Sequence, residues 1–308
     1  MKGRTMKLNL IVTSQDHAKT VKQLLKGNMH ISERLIKQMK FSGRILLNMV
    51  PVHVNAVVKE GDLLEAVVES EEYNENIIPE TMDLDILYED ENLIAINKPP
   101  NTVVHPTFRH HTGTVANGLM HHLLGKGVKT LVRPVSRLDR DTSGIILFAL
   151  NPFIQQGLIN QMHNKTFTKE YIGLVHGSFD QSSGTINLPI QRLDGSIMQR
   201  HTSPNGSPSV THYKILENFP EAAYLKFILE TGRTHQIRVH CQAIGHPLIG
   251  DTLYPLPKFD YIYEGLMSRQ ALHSHRVTFT HPFTNKVLDL EASIPNDIMH
   301  ALEILRNM

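Results

Sequence analysis

Two acids and two arginines crowd into five residues, Arg137-Leu138-Asp139-Arg140-Asp141, and Thr142-Ser143-Gly144 carry the chain on into an apolar run at 145–150. A cation beside a carboxyl group favours its charged form. A charged carboxylate in a cleft is a nucleophile or a base. Thr142, Ser143 and Gly144 have the turn chemistry that lets a chain double back into a strand. The competing reading is a surface loop tied by ion pairs, which stabilise little.

A second constellation is Thr231-Gly232-Arg233-Thr234-His235-Gln236-Ile237-Arg238. Here a strand ends, Gly232 permits a tight turn and Thr234 is placed to cap a helix. Arg233 falls at the strand-to-helix junction, where side chains often line a cleft, and Arg238 reads as a charge on the helix surface. Gly245-His246-Pro247 and Gly250-Asp251 mark a further turn. A third segment, Asn97-Lys98-Pro99-Pro100, ends a strand with a forced extended exit, and its lysine is available to a phosphate. Tyr171, after Lys169-Glu170, reads as core unless the cleft must stack a base.

Other chemistries find less support. The single cysteine, Cys241, rules out a disulfide framework and a thiolate zinc cluster and suits a reducing compartment. The nineteen histidines include His110-His111 and His121-His122. No pair flanks a glutamate in the helical zinc pattern, so no metal is expected. Gly125-Lys126-Gly127 lacks the remaining residues of a phosphate-cradling loop, so no nucleotide cofactor is expected either. Asp139-Arg140-Asp141-Thr142-Ser143 mimics an aspartate-dependent phosphatase, but the apolar strand follows the acids instead of preceding them.

The elements that must position these groups fall into two domains within 308 residues. Hydrophobic residues make up 41% and no apolar run is long enough for a membrane span, which points to a cytoplasmic protein without membrane contact, a monomer by default. The net charge of +1 hides an uneven distribution. Residues 19–44 carry Lys19, Lys22, Lys26, Arg34, Lys37, Lys40 and Arg44 against Glu33 alone, whereas acids dominate 59–91. The acidic stretch around 69–81 is expected to be a linker whose charge disfavours packing, between a first domain over 1–75 and a second over 82–308. In the first, Ile31, Leu35 and Met39 recur at helical spacing with Ser32 as cap, which puts Arg34, Lys37 and Lys40 on another face. Runs at 54–58 and 63–68, punctuated by Gly61-Asp62, predict a hairpin. In the second, strands are expected at 86–88, 93–96, 145–150 and 171–175. A largely half-buried strand is expected around Leu225, Phe227 and Leu229, with a helix on Ile237, Cys241 and Ile244 after it.

These constellations, in this order, resemble the pseudouridine synthases of the ribosomal large-subunit, RluA type, from about residue 85 to 295. The match is strongest at 137–147 and at 232–238 with 245–247 and 250–251. It is weaker at Asn97-Lys98-Pro99, Val104-His105-Pro106, Lys169-Glu170-Tyr171 and Leu272-His273. The first domain resembles a degenerate alpha-L RNA-binding module. Two positions depart from the family pattern: Ser136 stands where histidine is common, and Pro100-Asn101 where Ala-Gly is common. Asn101 tolerates a left-handed turn. The resemblance implies an α+β fold with a mixed, largely antiparallel sheet and a central catalytic cleft. It implies a catalytic aspartate at Asp139, an arginine paired with it at Arg233, a base-stacking tyrosine at Tyr171 and an RNA-holding arginine at Arg137. Lys98, Arg238, Lys37 and Lys40 complete the expected RNA contacts. The implied partner is structured RNA, ribosomal first and transfer RNA second, with no cofactor. An RNA-binding protein without catalysis is the rival class, and it would have no need of Asp139, Arg233 and Tyr171 together.

Overall fold

The computed structural model describes residues 4–40, 42–70, 76–108, 110–259 and 263–308. The first domain is a four-stranded sheet with two short helices. Strands β1 (Arg4–Ile11), β2 (Ile45–Leu47), β3 (Val50–Pro51) and β4 (Leu63–Ser70) lie in the order β1-β4-β2-β3. Helix α1 (Val21–Gly27) starts at a capping box between Thr20 and Gln23, and α2 (Glu33–Met39) starts at Ser32, whose hydroxyl accepts from the Leu35 N–H. Leu35 and Met39 are buried while Arg34, Lys37 and Lys40 are exposed, as the spacing predicts.

The expected strand at 54–58 does not form. The carbonyls of Val54 and Ala56 instead accept from the backbone N–H groups of Lys22 and Val21 at 2.8 and 2.9 Å. They satisfy donors that the start of α1 leaves open, so this segment is spent on a helix end. The long partner of β4 is β1, paired antiparallel along eight residues.

The expected linker is also shorter than its charge suggests. Glu69 belongs to β4, and residues 71–75 lie outside the described residues. Ile77 is buried, and Asn117 donates to the Ile78 carbonyl at 2.7 Å while its own carbonyl accepts from the Glu80 N–H. Backbone hydrogen bonds and one isoleucine outweigh the local acidity. The first domain's core and one side of the second domain's sheet form one continuous hydrophobic cluster.

The second domain is built on a ten-stranded sheet. Its elements begin with β5 (Asp85–Glu89), β6 (Leu93–Lys98), α3 (Val115–Gly125), β7 (Arg133–Pro134), β8 (Ser143–Ala149), α4 (Pro152–His163) and β9 (Thr168–His176). They continue with β10 (Ser183–Asn187), β11 (Ile190–Arg192), β12 (Arg200–Thr202), β13 (Val210–Asn218), β14 (Ala222–Leu229), α5 (Gln236–Ala243), β15 (Leu272–Thr280), β16 (Val287–Glu291) and α6 (Asn296–Arg306). The sheet runs β10-β13-β14-β9-β15-β8-β6-β5, with β16 on β15 and β7 on β8, while β11 and β12 pair separately. Among the described residues only β15 and β8 pair in parallel, so the sheet is mixed and largely antiparallel.

Strand β8 is buried throughout. Ile146 and Phe148 pack with α3, whereas Ile145 and Leu147 pack with α4, which is the alternation a strand covered on both faces must show. Gly144 adopts φ 106°, and a Cβ there would stand 2.2 Å from the Ser274 carbonyl oxygen on β15. Glycine is therefore what permits β15 to approach β8 so closely, and that approach sets the spacing of the central strands.

The structure corrects the expectation that Lys98 meets a phosphate. Lys98 is fully buried. Its Nζ donates to the carbonyls of Pro99 at 2.7 Å, Thr102 at 2.9 Å and Arg140 at 2.8 Å. Burial pushes its ammonium down to about 7, against the opposing pull of Asp141. Three N–H bonds meet three carbonyls, which tie the end of β6 to the segment before β8. Lys98→Met keeps the length and leaves those carbonyls unmatched, at a cost of roughly 2–4 kcal/mol. Its melting temperature should fall by several degrees. A variant that melts like the wild type but binds polyanions less tightly would restore the surface role.

Candidate active site

Residues 139–142 form a turn entering β8, closed by the Thr142 N–H donating to the Asp139 carbonyl at 3.2 Å. Two buried cations hold its backbone from beneath. Lys98 takes the Arg140 carbonyl, and Arg269 donates to the Asp141 carbonyl at 3.0 Å while gripping Asp297 through both carboxylate oxygens. Packing and backbone bonds of this kind fix a side chain's direction in advance. The two acids then part. Asp141, 28% exposed, pairs with its neighbour Arg140, whereas the Asp139 side chain, 25% exposed, lines a cavity of about 660 Å³.

The cation on Asp139 is Arg238. Its Nη1 donates to Asp139 Oδ2 at 3.1 Å. The same guanidinium meets Asp251 with Nε at 2.7 Å and Nη2 at 2.8 Å. Burial works against the charge on Arg238, but Asp251 and Asp139 outweigh it and raise its pKa. The expected pairing of Arg233 with Asp139 is thus corrected, and so are the readings of Arg238 as a surface charge and as an RNA contact. The reason is helix direction. Arg238 lies one turn inside α5 on its buried face, while Arg233 precedes the helix, is exposed, and donates from Nε to the Pro208 carbonyl at 3.3 Å. Arg233 still lines the cavity wall.

The start of α5 also differs from expectation. The left-handed residue before the helix is His235, at φ 59° and ψ 21°. Thr234 does not cap the helix, and its hydroxyl accepts from Arg137 Nη2 at 3.1 Å. The Gln236 side chain organises the turn, accepting from the Arg233 N–H and the Thr231 hydroxyl and donating to the Val210 carbonyl. A non-glycine residue in this conformation is costly, and such strain collects at functional sites.

His235 faces Asp139, with Nε2 3.7 Å from Oδ1. Its Nδ1 lies 2.7 Å from the Tyr254 hydroxyl, whose oxygen accepts from the Arg200 N–H at 3.0 Å. Burial lowers the pKa of His235, with Asp139 opposing. Tyr254 also lies under Arg238, 5.1 Å from ring centroid to guanidinium carbon. Asp251, His235 and Tyr254 escape sequence reasoning because their roles depend on a partner elsewhere; the one trace is Gly250-Asp251 as a turn.

Tyr171 lies on β9, one strand beyond β15, and is buried apart from the cavity it lines with Asp139. Burial pushes its phenol up to about 12, so the hydroxyl stays protonated at neutral pH. Arg137 is exposed at the rim. Asn101 adopts the left-handed conformation at φ 56°, as its residue type allows. The cavity thus joins a carboxylate with a fixed counter-ion, a flat aromatic surface and an arginine-lined mouth. It can seat a planar group beside an anionic nucleophile or base.

Comparison with known proteins agrees with this geometry. Residues 92–243 match the family described as RNA pseudouridylate synthase, and residues 8–64 match the RluD ribosomal pseudouridine synthase N-terminal domain. The chain is 41% identical over 280 residues to an uncharacterized RNA pseudouridine synthase, YjbO, of Bacillus subtilis (strain 168), covering 91% of this chain and 96% of that one. It is 37% identical over 274 residues to the ribosomal large subunit pseudouridine synthase D of Neisseria meningitidis, covering 86% and 72%. In fold it resembles human RNA pseudouridylate synthase domain containing 4, with a TM-score of 0.58 at 23% identity over 72% of this chain and 92% of that chain.

Proposed function

This chain belongs to the RNA pseudouridylate synthase family of isomerases that act on RNA, and we propose that it converts uridine to pseudouridine in ribosomal RNA with Asp139 as the catalytic residue. The observation that carries the proposal is the Asp139 carboxylate, bound to Arg238 at 3.1 Å in a cavity that also presents Tyr171. Ribosomal RNA is favoured over transfer RNA by the relatives named for the large subunit and by the matching N-terminal domain.

The reaction breaks the bond between ribose C1′ and uracil N1, rotates the base and joins C1′ to C5. The proton lost from C5 is balanced by the one gained at N1, so substrate and product are isomers and no redox carrier or energy source enters. The target base must leave its stack to reach such a cavity. Tyr171 supplies the surface on which uracil stacks, and Arg137 and Arg233 at the mouth hold the displaced strand. Attack at the sugar, attack at the base and removal of a sugar proton all require the same feature, an unprotonated carboxylate in fixed orientation. Arg238 provides that orientation. Lys37 on α2 and Lys40 directly after it, both exposed, add affinity for the phosphate backbone.

Pseudouridine mapping in ribosomal and transfer RNA, from cells with and without this gene, tests the proposal. Loss of a ribosomal site, restored by the purified protein acting on that RNA, is the expected result. Loss confined to transfer RNA would overturn the target, and conversion of no RNA would overturn the activity.

The arginines give a second expectation. Arg238→Lys keeps the charge but cannot bridge two carboxylates through a planar fork. Its single-turnover rate at saturating enzyme should fall about 100-fold, the scale of a misplaced catalytic group. Arg233→Ala should leave that rate nearly unchanged and weaken affinity. The opposite ranking would return the pairing to Arg233.

A further inference from the structure

A second cavity, of about 410 Å³, opens where the two domains meet. One wall is α2, through Arg34 and Gln38, with Arg44 beside it; the other is Arg133 of β7 with Gln155 and Gln156 of α4. Three guanidinium groups line it against one carboxylate, Glu69, which pairs with Arg44. The groove and the catalytic cavity share two elements. Strand β7 gives Arg133 to the groove and Pro134 to the cavity, and α4 gives Gln155 and Gln156 to the groove and Ile159, Met162 and His163 to the cavity. From Gln156 to His163 at ~1.5 Å per residue the separation is about 10 Å. That is the rise of roughly three nucleotides at ~3.4 Å each along the axis of a helical duplex.

We propose that this interdomain groove is a binding subsite for the phosphodiester backbone of the substrate RNA, taking the strand a few nucleotides from the uridine in the cavity; this rests on the RNA-modifying reading above. Guanidinium forks match phosphate oxygens, and glutamine amides donate to phosphate oxygens and donate to or accept from ribose hydroxyls, without sequence preference. The geometry divides the cations of α2. Arg34 and Gln38, four residues apart, share the face that lines the groove, while Lys37 and Lys40 lie outside it. The subsite is completed by both domains together, so the first domain positions the strand for the second as well as adding charge.

Thiol protection tests this on the full chain. Cys241 is buried and burial raises its pKa, so a maleimide reads a newly introduced surface thiol. Gln38 is exposed on α2, and Lys7, exposed on β1 outside the groove, serves as control. With RNA at about ten times its Kd, labelling of Gln38→Cys should slow about tenfold by mass action, and labelling of Lys7→Cys should not. Arg34→Glu should reduce the log-log salt slope of RNA binding by about one, and Lys7→Glu should leave it unchanged. Equal labelling of Gln38→Cys with and without RNA, by a protein that converts uridine in that RNA, overturns the groove and leaves the catalytic reading standing. A wild-type protein that neither binds nor converts the RNA overturns both.

Discussion

One guanidinium, Arg238, is held between two carboxylates, and the geometry of the proposed catalytic site depends on it. Asp251 is buried and grips two of its nitrogens, while Asp139 takes a third and faces the cavity. Burying an arginine costs several kcal/mol unless its charge is met. Asp251 meets that cost, with two backbone N–H groups, of Leu253 and Tyr254, donating to its Oδ1. The pair is thereby a rigid cationic fixture, and Asp139 can be oriented by it without being withdrawn from solvent. Removing Asp251 would leave Arg238 with Asp139 alone, the carboxylate proposed as catalytic.

The fold delivers these groups from segments far apart in the chain. The turn before β8 supplies Asp139, α5 supplies Arg238 and His235, the turn after α5 supplies Asp251 and Tyr254, and β9 supplies Tyr171. They converge because β8, β15 and β9 are neighbours, and Gly144 permits the closest of those approaches. Lys98 and Arg269 then lock the backbone of the Asp139 turn from the buried side. Each lies in a segment remote from the carbonyl it holds, so no local pattern marks it.

Local features were the legible ones. Ser32 capping α2, the apolar run of β8, the turn between β5 and β6 and the left-handed Asn101 follow from neighbours within a few residues, and all form as read. Asp139 and Tyr171 were found from their setting within family-like motifs, and both line the cavity. The misreadings share one cause. Arg238 looked like a surface charge because its two acceptors are 99 and 13 residues away. Lys98 looked like a phosphate ligand because three backbone carbonyls are invisible to side-chain patterns. Residues 54–58 looked like a strand because the demand of α1 for two carbonyls is set by tertiary packing. The first domain's basic residues were legible as a group, but their division between groove and open surface required the second domain's position.

The central claim is that Asp139, and not the local negative charge, performs the isomerisation. Asp141 is two residues away with the same charge, yet it pairs with Arg140 and does not line the cavity. The direct measurement is single-turnover conversion of uridine in substrate RNA by Asp139→Asn beside Asp141→Asn, with melting temperature and RNA affinity recorded for each. Asparagine preserves size and removes the charge. Asp139→Asn should lose more than ~1000-fold in rate while folding and binding RNA, the scale of a group that acts in the transition state, and Asp141→Asn should keep most of its activity. Near wild-type turnover by Asp139→Asn, or equal loss in both variants, would contradict the account.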